Sequence, residues 1–380
     1  MVSNKCTLII DGNWLLMSRL GPRFKDFSNS FSTDDLERSS DDLVEFLAQS
    51  VNKIINFFND NIDNIIMVQD GGSWRRKFQK PKLYTETYKG NRVLQDDVNW
   101  DYIWRALRKF CTNFHENGIT CTQAPNIEGD DWCWFWSRYL NHNDTNVIIW
   151  TSDCDLKQLV QKDPTTNRWT VWYNDRSGLC VHECYNPESM SEVDRFFSIQ
   201  DYSLDKLIRD VSFTSHRVSY VYPDDIRMDK IICGDVGDNI KPIVSVTKST
   251  GRTNRISSKE WNVIRESLNI NNLQDLLGHR REVIDNILSI KRLHDCLDSV
   301  EDIDEMMLYN FYMVVLDKEW IPVEWRNVMK SHVDDYTIAD LDYIRNNYKV
   351  LSSRDQNAMD TLEDLFSSLE INSSTNPCKD

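Results

Sequence analysis

The sequence predicts an α/β protein: a central parallel sheet with helices on both faces, followed by an all-helical C-terminal region. Three observations carry this. Short apolar runs at 6–10, 64–69 and 146–151 each end at an acid, in Asp11-Gly12, Asp70-Gly71 and Ser152-Asp153. Between them the apolar spacing changes to a helical period, and strand–helix alternation of that kind builds a parallel sheet. After about residue 245 only helical spacing remains.

Residues 6–10 (CTLII) read as a short buried strand. Helical spacing runs over 42–58 through Leu43, Phe46, Leu47, Val51, Ile54, Ile55 and Phe58. Residues 64–69 are a second strand, followed by a helix near 98–116 and a short strand near 119–123. Residues 130–140 (DDWCWFWSRYL) are apolar on nearly every side, which predicts a buried helix. A strand at 146–151 follows, and 169–173 with 178–182 read as an appended hairpin. From about 352 the chain turns polar and rich in Ser and Asn, which predicts a mobile tail.

With 380 residues, 40% of them apolar and 11% aromatic, the chain can bury a sizeable core in two domains or in one large domain with a satellite. This composition excludes a wholly disordered chain, a collagen-like fibre and a coiled coil. No apolar run reaches the roughly 18–20 residues of a membrane helix, and the N-terminus does not read as a secretory signal. The ten cysteines form no C-x-x-C pair and read as reduced thiols of a cytoplasmic protein. Cys180, His182 and Cys184 offer three zinc ligands without a fourth, so zinc is not expected there.

The net charge of −16 argues against a generic nucleic-acid binder. Its distribution points the other way. Residues 73–92 hold seven Lys/Arg and one acid, and residues 239–259 hold five Lys/Arg and no acid. A local field of this kind steers a polyanion even when the whole is acidic. Glycine is scarce, 12 of 380, and Gly12, Gly71, Gly72, Gly129, Gly234 and Gly237 sit beside acids. That placement suggests sharp turns or close backbone approach.

Ligands of a parallel open sheet bind outside the carboxyl ends of its strands, where Asp11, Asp70 and Asp153 fall. Asp155 follows one residue after Asp153. Glu128, Asp130 and Asp131 open the buried helix in I-E-G-D-D, and Asp235 and Asp238 stand three apart in C-G-D-V-G-D-N-I. Singly, each motif has a plainer reading: D-G as a turn, E-G-D-D as a helix cap. Gathered in one pocket, nine carboxylates repel one another unless cations occupy it. Oxygen ligands without paired His or Cys favour Mg²⁺ or Mn²⁺ over Zn²⁺.

The motifs I-I-D-G-N at 9–13, D-G-G-S-W-R-R at 70–76, Y-K-G-N-R at 88–92, I-E-G-D-D at 127–131, T-S-D-C-D-L-K-Q-L-V at 151–160 and I-C-G-D-V-G-D-N-I at 232–240 occur in that order. Together they resemble the flap endonuclease/5′-nuclease superfamily, with its PIN-like catalytic domain. The likeness is greatest to the phage branch of 5′→3′ exonucleases and RNase H-type primer-removing nucleases. The resemblance implies a PIN-like, Rossmann-like sheet with a helical arch. It implies that Asp11, Asp70, Glu128, Asp130, Asp131, Asp153, Asp155, Asp235 and Asp238 hold two Mg²⁺ ions, for which Mn²⁺ substitutes. Lys89 and Arg92 match the basic pair that contacts the scissile phosphate, and Arg75, Arg76 and Tyr88 would guide the single-stranded 5′ end. Gly129 stands where the family usually has Ala. After Ile240 the chain lacks the glycine-rich step of the helix–hairpin–helix with which many members grip duplex backbone, and the basic stretch 241–259, with Lys241, Lys248, Arg252 and Arg255, would do that work as point charges.

The expected activity is hydrolysis of phosphodiesters at 5′ ends or 5′ flaps of DNA, and of RNA primers on DNA, by two-metal chemistry in primer removal or repair. A haloacid-dehalogenase-type phosphatase would need a second Asp at position 13, which is Asn. A second reading is an inactive nucleic-acid-binding relative acting as a replication accessory protein. The expected organisation is a catalytic domain at 1–245, a helical duplex-binding domain at 246–352 and a tail at 353–380, in a monomer of the (host) cytoplasm. Within the tail, 359–366 (MDTLEDLF) is an apolar island with acidic spacers. It looks like the peptides that replication proteins insert into a sliding clamp.

Overall fold

The computed structural model describes residues 6–342 except 85–86, 93, 187–203, 205–206, 209–216 and 297, together with residue 344. The chain divides into two compact units, one from residues 1–69, 95–122 and 335–380, the other from 70–94 and 123–334. The expected tail peptide at 359–366 lies outside the described residues.

In the first unit β1 (Cys6–Asp11) pairs in parallel with β2 (Ile62–Val68), and β2 with β3 (Thr120–Thr122). All six residues of β1 are buried, as an unbroken apolar run requires. Asp11 stands opposite Val68 at the strand's carboxyl end and caps α1 (Gly12–Leu20), its Oδ1 accepting the Trp14 N–H at 3.0 Å. Helix α2 (Thr33–Phe58) buries Leu43, Leu47, Val51, Ile55 and Phe58. It begins well before the apolar periodicity does. Ser32 caps it by accepting the Asp35 N–H at 3.2 Å, and Asp34 and Asp35 complement the positive helix end. A solvated first turn leaves no apolar period to read. Helix α3 (Trp100–Glu116) packs Ile103, Leu107, Phe110 and Phe114 inward. Residues 336–339 fasten to the strands through side chains: Asn64 Oδ1 accepts the Ala339 N–H at 2.7 Å, and Thr120 Oγ1 accepts that of Thr337 at 2.9 Å.

The second unit holds α4 (Gly129–His142), β4 (Asn146–Trp150), β5 (Gln161–Lys162), β6 (Trp169–Asn174), β7 (Gly178–His182), β8 (Val218–Val221) and α5 (Pro223–Cys233). β6 runs parallel to β4 and antiparallel to β5 and β7, and β8 is parallel to β7. The expected hairpin is β6–β7. A second hairpin, β9 (Ser245–Thr247) with β10 (Thr253–Arg255), precedes the helices. The basic stretch 241–259 is therefore partly strand, its Thr247 and Thr253 facing each other at 3.0 Å. Helices α6 (Ser258–Ser267), α7 (Leu273–Gly278), α8 (Arg280–Leu288), α9 (Val300–Val314) and α10 (Val323–Lys330) follow. Met228, Ile231, Trp261, Ile284, Met307 and Phe311 build one core between α5 and this helical region.

Among its described residues the stretch 73–92 forms a 3₁₀ turn, Trp74–Lys77, rather than an α-helical arch. Pro81 and Gly90 interrupt any helix there, Lys89 takes φ +52°, and its N–H is spent on Asp238 O at 2.9 Å. No described helix is long and apolar enough to cross a membrane.

Candidate metal centre

Two segments of the second unit bring three carboxylates together. Asp155 lies in the 3₁₀ turn Cys154–Leu159 after β4, and Asp235 and Asp238 lie in the loop after α5. One oxygen from each lies within 4.8 Å of the others. Asp130, in the first turn of α4, lines the same pocket with Arg75, Tyr88 and Lys230.

Local backbone chemistry sets these positions. Asp153 starts the 3₁₀ turn by accepting the Asp155 N–H on Oδ1 at 2.8 Å. After α5, Gly234 takes φ +76°, and a Cβ there would lie 2.5 Å from Pro242 N, so only glycine fits. Asp235 and Ile240 then exchange backbone hydrogen bonds of 2.8 and 2.7 Å, closing a tight loop that carries both acids.

Lys230, which no sequence motif singled out, reaches from α5 between Asp155 and Asp235, contacting the first and lying 2.5 Å from Oδ2 of the second. A lysine five residues before an acid is an unremarkable spacing, and only the helix end makes it converge. Against the cost of burial, this ammonium holds Asp235 below the ordinary carboxylate range. One cation cannot neutralise the whole group: burial and the neighbouring Asp153 push Asp155 up to about 7.

A second cluster adjoins. Glu128 and Asp131 form a capping box on α4. Arg75 bridges them, with Nη1 at 2.9 Å from Glu128 Oε2 and Nη2 at 2.9 Å from Asp131 Oδ1. Trp74 Nε1 donates to Asp131 at 3.1 Å, and Ser73 Oγ to Glu128 at 2.7 Å. Lys89 Nζ lies 2.7 Å from Glu128 Oε1, 3.7 Å from Asp238 and 4.0 Å from Asp130. Despite burial, Lys89 and Arg75 hold Glu128 down at about 2. Arg92 donates to Asp238 Oδ1 at 2.6 Å with its side chain 57% exposed, and Tyr88 Oη donates to Asp238 Oδ2 at 3.1 Å.

The structure thus gathers Asp130, Asp155, Asp235, Asp238, Glu128, Lys89 and Arg92, with Asp153 beside Asp155. Asp70 joins through its Oδ1, which accepts the Gly129 N–H at 2.5 Å. The adjacent Gly71 lies so close to the 124–127 loop that a Cβ would fall 1.7 Å from Ala124 O. Two expectations change. Arg75 is 2% and Tyr88 3% exposed, so their polar ends serve carboxylates of the protein and leave Arg76, which is exposed, as the solvent-facing member of that trio. Asp131 is fully buried and committed to Arg75 and Trp74, which removes it from the ligands facing the pocket. Asp11 belongs to the first unit, where it caps α1. Lys248, Arg252 and Arg255 project from the β9–β10 hairpin into solvent and Lys241 is half-buried. His182 Nδ1 accepts the Cys184 N–H at 3.1 Å while Cys180 is buried.

A 5′–3′ exonuclease of Mycoplasmopsis pulmonis is 25% identical over 268 residues, covering 70% of this chain and 71% of that protein. Among solved structures, the T5 5′-exonuclease with zinc bound matches with a TM-score of 0.47 at 14% identity, covering 87% of this chain and 98% of that one. A bacteriophage T5 flap endonuclease in a pseudo-enzyme–product complex with DNA and metal ions matches with a TM-score of 0.48 at 15% identity, with the same coverage. No protein-family model matches. The sequence relationship is thus to a 5′–3′ exonuclease, and the α/β architecture is that of the strands and helices described above.

Proposed function

We propose that the protein is a divalent-metal-dependent 5′ nuclease that hydrolyses phosphodiesters at 5′ ends or 5′ flaps of DNA, and of RNA primers on DNA. The observation that carries this reading is the convergence of Asp155, Asp235 and Asp238 within 4.8 Å, with Asp130 on the same pocket and Lys89 Nζ 4.0 Å from its carboxylate. An all-oxygen donor set of this kind fits Mg²⁺ or Mn²⁺. Ions bound there supply Lewis-acid activation of water and charge for the leaving oxygen.

The chain's own residues do the rest. Asp130, Asp155, Asp235 and Asp238 hold the ions, with Asp153, Asp70 and Glu128 completing the negative surround. Lys89 and Arg92 carry the positive charge a phosphodiester requires as negative charge builds on it in the transition state. Arg76, Lys241 and the hairpin cations Lys248, Arg252 and Arg255 bind backbone phosphates away from the chemistry. Residues 246–352 act as the duplex-binding region, and 359–366 tethers the enzyme to a sliding clamp.

The deciding experiment is digestion of a 5′-labelled flap duplex, with and without Mg²⁺. Metal-dependent release of short 5′ products is expected, and loss of it in Asp235→Asn. Binding without any cleavage in Mg²⁺ or Mn²⁺ would show a non-catalytic accessory protein instead.

A further inference from the structure

The loop that carries Asp235 and Asp238 is held from outside by one buried amide. Asn310 lies on α9, a helix beyond all of the motifs, and is 0% exposed. Its Nδ2 donates both hydrogens: one to Ile231 O at 2.8 Å, the other to Lys241 O at 2.9 Å. Those two carbonyls flank the loop, one in the last turn of α5 and one just past Ile240. A single planar NH₂ group therefore fixes the separation of the loop's two ends. The arrangement costs something, because Asn310 Oδ1 is buried and finds no partner among the described residues. An apolar residue would remove that orphaned oxygen but take this donor from both the Ile231 and the Lys241 carbonyls, so the amide's two donors are what ties the loop's ends together.

The turn that carries Asp155 is tied to the same helix. Gln158, 2% exposed, donates from Nε2 to Val314 O at 3.1 Å and accepts the Leu316 N–H on Oε1 at 3.0 Å. Val314 ends α9, so both ligand-bearing segments are referenced to one rigid element by buried side-chain amides.

We infer that Asn310 is a positioning residue for the metal centre, acting through the Asp235–Asp238 loop with no contact to metal or substrate. This rests on the nuclease reading above. The test is direct Mn²⁺ binding, followed by electron paramagnetic resonance, on the full chain and on Asn310→Asp, Asn310→Ser and Phe311→Leu. Asn310→Asp keeps the shape and replaces both donors with acceptors, whereas Asn310→Ser keeps one short donor. Phe311→Leu loosens the same buried helix at a ring stacked on Trp320 and removes no hydrogen bond to the loop.

Both Asn310 variants should weaken Mn²⁺ binding by about 10–100-fold, the usual cost of losing outer-shell support. The Mg²⁺ concentration for half-maximal cleavage should rise by the same factor, with KM for flap DNA unchanged at saturating metal. Phe311→Leu should retain wild-type Mn²⁺ affinity. Unchanged Mn²⁺ affinity in either folded Asn310 variant overturns the inference, as does an equal loss in Phe311→Leu. If the Asp variant does not fold, the Ser variant decides. Failure of the wild-type protein to bind Mn²⁺ or cleave is a different result and removes the nuclease reading itself.

Discussion

A guanidinium seated between two buried carboxylates cannot be removed cheaply, because the acids lose their counter-charge without regaining water. Arg75 holds Glu128 and Asp131 in that way, all three inside the protein. Arg75→Met should therefore destabilise the fold by about 3–5 kcal/mol, measurable as a lower urea midpoint, whereas Arg76→Met should leave stability unchanged. Equal stability of the two variants would return Arg75 to a substrate role. In the sequence the two arginines are indistinguishable, since burial here depends on how the 74–77 turn lies against the start of α4. Lys89 is the contrasting case. Its Nζ lies within 4.0 Å of Asp130 and Asp238, two carboxylates that line the candidate metal pocket, so its charge matters most when the phosphate gains charge in the transition state. Lys89→Ala should slow single-turnover cleavage far more than it weakens flap binding. A variant that only binds more weakly would place Lys89 away from the reacting phosphate.

Elements were legible where one residue period dominates. The unbroken apolar runs of β1, β2 and β4 and the apolar surround of α4 announce themselves, and the acids at their ends follow from the same reading. The polar first turns of α2 and the two-residue β5 left no period to read. The β9–β10 hairpin was hidden for a different reason: its alternation is between polar residues on a solvated ribbon, so only its charge stood out. That charge has a consequence at this scale. Lys248, Arg252 and Arg255 are exposed on one short ribbon, and each phosphate contact contributes about 0.9 to the slope of log affinity against log salt. Replacing all three by alanine should weaken duplex binding, reduce that slope by up to about 3, and leave the cleavage rate of bound substrate intact. A slope that does not move would assign duplex binding to another surface.

For the whole molecule, the candidate metal centre links the ends of α4, β4 and α5 through side chains that share a sign. Lys230 and Lys89 offset part of the charge, while burial and then the neighbouring Asp153 push Asp155 up to about 7. The carboxylates and Lys89 could be seen in the sequence, and Lys230 could not. The acids sit in short motifs, whereas Lys230 and Asn310 reach the same place from helix positions that carry no pattern. A cation that binds the folded pocket, and not the unfolded chain, must stabilise the fold by mass action. At free Mg²⁺ of about 100 times its dissociation constant the gain is about 2.7 kcal/mol. The unfolding temperature should therefore rise with Mg²⁺ concentration, and rise similarly with Mn²⁺. Paired substitution of Asp153→Asn and Asp155→Asn removes negative charge from the centre, so that variant should fold, lose cleavage and lose most of the Mg²⁺-dependent rise. Its unfolding temperature without added metal should equal or exceed that of the wild type, because the repulsion between those two acids is gone. A double variant that still gains the full Mg²⁺ increment would show that the stabilising ion sits elsewhere and that these carboxylates are not its ligands.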